Sequence, residues 1–429
     1  MPDLIVRRAR LADDEPTCDI LIEDGLITAV GPGLAAAAAP AEELDCQGRV
    51  VIPGLIESHV HLDKALLDRE RPDTEGTLAG AIAVTGALKR GFTPRTVRDR
   101  ARAVLDSAIA NGTTLLRAHP DVDPIVGLLG VEVMLELRDE YADAVEIQVV
   151  AFPQEGILQA PGTLDLLREA LRAGADVVGG CTYNEATVDD CRRHVDLVFE
   201  LAREFGVPAD LHADFADDTQ DPRFALAEYI AEVTVESGLR GRVALGHMTS
   251  LAGREPADRR AVLGELAAAG VAVVPLPATD MHLGGRADAH NVRRGIAPVR
   301  DLWEAGVTCA YSSNNIRNAF TPYGNADMLD IGLFLAQTSH LSSPQDLARV
   351  LAMATTEAAE VVGIADRYGL RAGARADLVV LDTRRVADAL LDRPARTAVI
   401  KSGRVVARTV RHTDLLFPRN SRTTEPSHA

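Results

Sequence analysis

Eight short apolar segments, each closing on a polar or turn-forming residue, constrain this chain more than any other feature. They end near His61, His119 (TTLLRAH), Gln154 (IQVVAFPQ), Gly180 (ADVVGG), His212 (PADLH), His247 (RVALGH), Pro277 (VAVVPLP) and Asn314 (VTCAYSSNN), with amphipathic helical stretches between them. Strands alternating with helices this regularly make a parallel sheet covered by helices. Eight such units predict an α/β fold of the (β/α)8, TIM-like barrel type, whose functional groups gather at the carboxyl ends of the strands. Polar residues fall at that end of nearly every segment. A length of 429 residues suits one such barrel with additions.

The additions lie at the two chain ends. Residues 1–50 read as short β pieces (LIVRRARL, DILIEDGLITAVG, LDCQGRVVIPG), with Asp24–Gly25 as a hairpin turn. GARADLVVL (373–381) and AVIKSGRVVA (398–407), the latter turning at Ser402–Gly403, are of the same kind. We therefore expect one discontinuous β-sandwich from residues 1–53 and 366–415, a barrel over 54–365, and a flexible tail over 416–429.

The segment VIPGLIESHVHLDKALL (51–67) places His59 and His61 two apart at the end of an apolar run. Residues two apart on a strand share a face, so the pair aims two imidazoles at one point, as a borderline metal ion requires of its first ligands. Alone, such a pair fits a structural role equally well; His212 and His247 at later strand ends strengthen the metal reading.

A net charge of −18 argues against nucleic-acid and anionic-membrane partners, which call for basic patches. The five scattered cysteines, with no C-x-x-C, read as reduced thiols of a cytosolic protein. The chain opens without a charged-then-apolar leader and has no run of about 18 apolar residues, so a soluble cytoplasmic protein is expected. Self-association through exposed helices stays open. Hydride and phosphoryl transfer find no support, because neither G-x-G-x-x-G nor a P-loop occurs in a strand–turn–helix context.

VIPGLIESHVHLDK (51–64), LLRAHPDVDP (115–124), VVAFPQEGIL (149–158), DVVGG (176–180), DLHADFADD (210–218), VALGHMTSL (243–251), HLGGR (282–286), RRGIAPVRDL (293–302), NNIRNAFTPYGNADML (314–329) and ARADLVVLD (374–382) occur in that order. Together they resemble the amidohydrolase superfamily, in its cytosine-deaminase-like branch that includes N-isopropylammelide-hydrolase-type enzymes. The resemblance implies a metal-dependent barrel with a sandwich made from both termini. It implies His59, His61 and His212 as metal ligands, His247 as the histidine that binds or polarises the attacked group, and Gln154 as a substrate-binding residue. The implied chemistry is attack of a metal-activated water on a carbon bonded to nitrogen, usually in a heterocycle.

Two positions depart from the pattern. Asn314 stands where an aspartate would serve as metal ligand and base; an amide oxygen can still coordinate a hard cation but carries no charge and accepts no proton. Phe215 stands where His-x-x-Glu would supply a proton-shuttling glutamate. Cytosine itself is therefore not the expected substrate, and Phe215 makes its end of the pocket apolar. Asp214 and Asp217 are the candidates to take over proton transfer, with Asp63 and, on thinner grounds, Glu185 beside them; the plainer reading of the three aspartates is a solvated loop residue or one that orients a ligand imidazole. Lys64 is a candidate for a substrate carboxylate or oxyanion, with a surface salt bridge as the plainer reading. His119 and His282 line the expected pocket. None of the three lysines follows strand four, which argues against a lysine-bridged metal pair, and Cys181 there reads as packing.

The expectation is one divalent ion, zinc or iron, bound weakly without the aspartate, in a hydrolase acting on a C–N bond of a small nitrogen-rich molecule. The second reading is a scaffold that has lost its chemistry and binds a small molecule.

Overall fold

The computed structural model describes residues 3–36, 41–71 and 76–416. Seven parallel strands pair in sequence order: Leu55–Val60, Thr113–Ala118, Glu146–Ala151, Val177–Cys181, Ala209–Ala213, Val243–His247 and Val271–Val274. The fold is a (β/α)8-type barrel, with one correction to its last rung.

Residues 307–315 close the barrel without forming a regular strand. They touch the sheet through single bridges, Cys309 to Val273 and Asn314 to Val60. Asn314 donates its N–H to the His59 carbonyl (3.0 Å) and accepts the His61 N–H (2.8 Å). Its φ of 58° is left-handed, which ends an extended run. The preceding polar groups go to a side chain instead of a ladder: the Glu57 carboxylate accepts the Ser313 N–H (2.8 Å), the Ser313 hydroxyl (2.6 Å) and the Ser312 hydroxyl.

The helices follow from periodicity and capping. In Val188–Phe205, Cys191, His194, Val195, Val198, Phe199 and Ala202 recur at three- and four-residue spacing and are buried. Thr187 accepts the Asp190 N–H at the start, and Gly206 at φ 70° ends the helix.

The termini build two four-stranded sheets. The first runs Leu26–Gly31, Cys18–Glu23, Leu4–Ala9, Glu42–Asp45. The second runs Arg404–Ala407, Arg396–Lys401, Leu378–Leu381, Val50–Pro53, so it joins both ends of the chain. Alternation divides its side chains: Leu378, Val380, Ala398 and Ile400 enter the sandwich core, while Val379, Leu381 and Val399 join the barrel core. Each fully buried Leu, Val or Ile contributes roughly 1.5–3 kcal/mol. The Asp24–Gly25 turn has φ 51° and 76°, both positive, as a tight hairpin needs. Of the expected tail, all but residue 416 lies outside the described residues. Among the described residues, no helix is long and apolar enough to cross a membrane.

Candidate metal centre

Strand alternation stacks the barrel interior in polar layers. Glu57, His59 and His61 share the inward face of the first strand; Arg117 and Asp210 lie two residues before His119 and His212 on the second and fifth. All are buried. The lower layer is an ionic floor: Arg117 donates to Asp210 Oδ2 (2.8 Å) and to Gln148 Oε1 (3.0 Å).

Above the floor the imidazoles converge. His59, His61 and His212 each bring a nitrogen within 4.8 Å of the others, and the Nε2 atoms of His59 and His212 are 2.5 Å apart. Each ring has an oxygen near Nδ1. His61 Nδ1 donates to the His119 carbonyl (2.8 Å), His212 Nδ1 meets the Tyr183 hydroxyl (3.4 Å), and His59 Nδ1 lies 3.4 Å from Asp210 Oδ1. An imidazole that carries its proton at Nδ1 presents a lone pair at Nε2. The His119 carbonyl fixes that tautomer for His61, the one a metal ligand needs, and the oxygens near His59 and His212 favour it. Burial, with His119 and His247 nearby, pushes His59 down to about 3. Burial, with Lys64 beside His61 and the other imidazoles crowding His212, likewise holds both well below the usual histidine range. All three are neutral at pH 7, as ligands must be.

Asn314 supplies the second sign of fit. Its Oδ1 is buried without a hydrogen-bond partner, and its backbone is tied to His59 and His61. A buried amide oxygen left unpaired is costly unless something else satisfies it. Gly246 provides room: a Cβ there would lie 3.2 Å from His59 Cε1. The donor set, three neutral imidazoles and one amide oxygen, suits a divalent ion.

Two further groupings of potential ligands already hold cations of the protein's own. His59, His119 and Asp210 form one, and Arg117 pairs with that aspartate. His61, Asp63 and Asp121 form the other, where Asp121 takes Lys64 (2.7 Å) and Lys89 (3.5 Å).

His247, at φ 73°, sets its Nδ1 2.6 Å from Asp280 Oδ1, and Asp280 Oδ2 accepts the Leu276 N–H (3.0 Å). Phe215 stacks on the His247 ring, centroids 4.2 Å apart, and Tyr183 flanks it at 5.9 Å. Gln154 accepts a hydrogen bond from Lys64 Nζ (2.8 Å).

Several expected residues are engaged differently. Lys64 forms no surface salt bridge; it is 1% exposed and bound to Asp121 and Gln154. Both oxygens of Asp214 accept amides of Leu226 and Ala227 at the start of the next helix. Burial raises its pKa to about 6. Asp217 Oδ1 accepts the Gly285 N–H (2.8 Å) and the residue lines a separate cavity of about 450 Å³ with Arg293 and Pro298. Glu185 is likewise committed, to the amides of Ile157, Leu158 and Gln159 and to His194 Nδ1 (2.7 Å). His119 stacks on His59, centroids 3.7 Å apart, with Nε2 3.3 Å from Asp210 Oδ1, and so packs behind that ring. His282 and Tyr323 line a cavity of about 650 Å³ that reaches Asn315.

Asp210, Glu57, Arg117, Tyr183 and Asp280 were not anticipated. The first three carried a signal, the x–x+2 alternation with a downstream histidine; Tyr183 and Asp280 sit outside strands and carried none.

Comparison with known proteins finds relatives along nearly the whole chain. A model of the amidohydrolase family matches residues 42–407. N-isopropylammelide isopropyl amidohydrolase of Pseudomonas sp. (strain ADP) is 30% identical over 95% of this chain and 97% of its own. Pterin deaminase of Rhizobium rhizogenes is 31% identical over 91% and 88%. The crystal structure of 5-methylcytosine deaminase from Klebsiella pneumoniae liganded with 5-fluorocytosine superposes with a TM-score of 0.90 at 30% identity, covering 96% of this chain and 99% of that one.

Proposed function

The chain belongs to the amidohydrolase family, and from that premise we propose that it hydrolyses a C–N bond of a small nitrogen-rich heterocycle with one divalent ion, zinc or iron. His59, His61 and His212 would hold the ion, with the Asn314 carboxamide as fourth donor. The observation that carries this reading is the convergence of the three imidazoles, each with an oxygen near Nδ1 and the Nε2 atoms of His59 and His212 facing each other.

A divalent ion bound there supplies a Lewis acid and an acidic water. The protein's own groups do the rest. His247, its Nδ1 fixed by Asp280, offers Nε2 to the attacked group and can hold a proton there. Gln154, steadied by Lys64, hydrogen-bonds the ring. Phe215 and Tyr183 form the apolar wall against which a flat ring or an alkyl substituent packs. The catalytically silent reading is not favoured, since the relatives are named for hydrolysis and deamination and the ligand set is complete apart from Asn314.

The test is metal analysis of protein purified without chelators, paired with a screen for ammonia or amine release from pterins, triazines, pyrimidines and imidazolones. Bound zinc or iron with turnover of one of these classes supports the proposal. Turnover that survives full metal removal contradicts it.

A further inference from the structure

This inference rests on the metal reading just given and concerns the charge of the substrate. None of the donors His59, His61, His212 and Asn314 carries a negative charge, and Phe215, stacked on His247, adds none to that wall. The neighbouring carboxylates are engaged elsewhere. Asp210 is paired with Arg117 (2.8 Å) and Asp121 with Lys64 (2.7 Å), Asp63 beside His61 accepts the Asp121 N–H (3.0 Å), Asp280 holds His247 Nδ1 (2.6 Å), and Asp214 and Glu57 face amides and hydroxyls. The donor set therefore brings no negative charge to a divalent ion. Leaving a charge uncompensated in a desolvated pocket is costly, and an incoming anion relieves that cost.

We propose that Asn314 makes this a pocket for anions: the substrate is a heterocycle carrying a negative charge at neutral pH, on an ionised ring nitrogen or an attached carboxylate. The neutral amide sets the preference, and Phe215 leaves it unopposed by a second carboxylate.

Cobalt(II)-loaded protein with thiocyanate as the probe tests this through the visible spectrum, with no assay of activity. The wild-type spectrum shifts on titration, and Asn314→Asp needs about tenfold more thiocyanate or more, because one added negative charge opposes the anion at close range. Equal affinity in the two proteins overturns the proposal. Wild-type protein alone gives a second measurement, should the aspartate variant fold poorly: thiocyanate must bind about tenfold more tightly than neutral formamide, and the reverse order overturns the idea. Cobalt bound without anion preference removes only this inference. Failure to bind cobalt removes the metal reading beneath it.

Discussion

The Nδ1 of His247 lies 2.6 Å from Oδ1 of Asp280, whose other oxygen accepts the backbone N–H of Leu276. Asp280 uses both oxygens as acceptors, which an asparagine cannot do, having only one. Asp280→Asn must therefore release either the imidazole or the Leu276 amide. Turnover of the identified substrate is expected to fall about 10- to 100-fold with the circular dichroism spectrum unchanged. Wild-type turnover in this variant would show that the contact is not part of the working site.

Glu57 joins the first strand to the closing segment that carries Asn314. Glu57→Ala removes the acceptor for three donors, from Ser312 and Ser313, in a fully buried place. The expected result is a loss of about 1–3 kcal/mol in urea denaturation, from donors left unpaired. Metal affinity, measured by competition with a chelator, should fall with it. Unchanged affinity would mean that Asn314 holds its place without this clamp.

Gly246 leaves the space that the His59 ring occupies. Gly246→Ala puts a methyl group 3.2 Å from His59 Cε1, closer than most carbon contacts allow. Either the ring or the strand must shift. Metal affinity is expected to drop about tenfold, while the apo protein melts within a few degrees of wild type. A variant with full affinity would place the site elsewhere.

The sandwich and barrel meet at Glu146, which accepts Arg367 Nη2 (2.7 Å) and also takes Arg375. Burial raises the carboxyl pKa, but the Arg367 hydrogen bond and the charges of Arg367 and Arg375 outweigh it and hold the folded value below 4.5. A carboxylate depressed on folding contributes stability that is complete above its unfolded value and lost as pH falls through its folded one. Glu146→Gln should therefore cost about 1–2 kcal/mol at pH 7, and the gap to wild type should narrow below about pH 4.5. Urea denaturation of the apo proteins at pH 7 and pH 3.5 measures both. A gap that stays constant would mean that Glu146 acts through packing alone.

Much of this architecture is legible in the chain because strand period and helix period leave separate marks. Segments ending at His61, His119, His212 and His247 lie where expected, since apolar runs closing on polar residues can only be strands emerging from a core. The floor of the site was written in the same alphabet, as Glu57, Arg117 and Asp210 each two residues before a histidine, yet it is easily overlooked when attention rests on the histidines. The eighth rung was misjudged for a physical reason: Ser312 and Ser313 bond to Glu57, more than 250 residues earlier, and a side-chain clamp at that distance leaves no local trace. Asp214 left two readings open, proton transfer or orientation of a neighbour; its φ of 50° turns it off the strand and towards the amides of Leu226 and Ala227.

The central claim is that three imidazoles and one amide oxygen hold a single cation at the barrel mouth. Anomalous scattering from crystals of metal-loaded protein, collected on either side of the metal edge, measures this directly. The account predicts one peak per chain, about 2.0–2.2 Å from a ring nitrogen of each of His59, His61 and His212, with Asn314 Oδ1 completing the shell. A strong peak beside Asp63 and Asp121, or no peak at the histidines in protein known to contain metal, would contradict it.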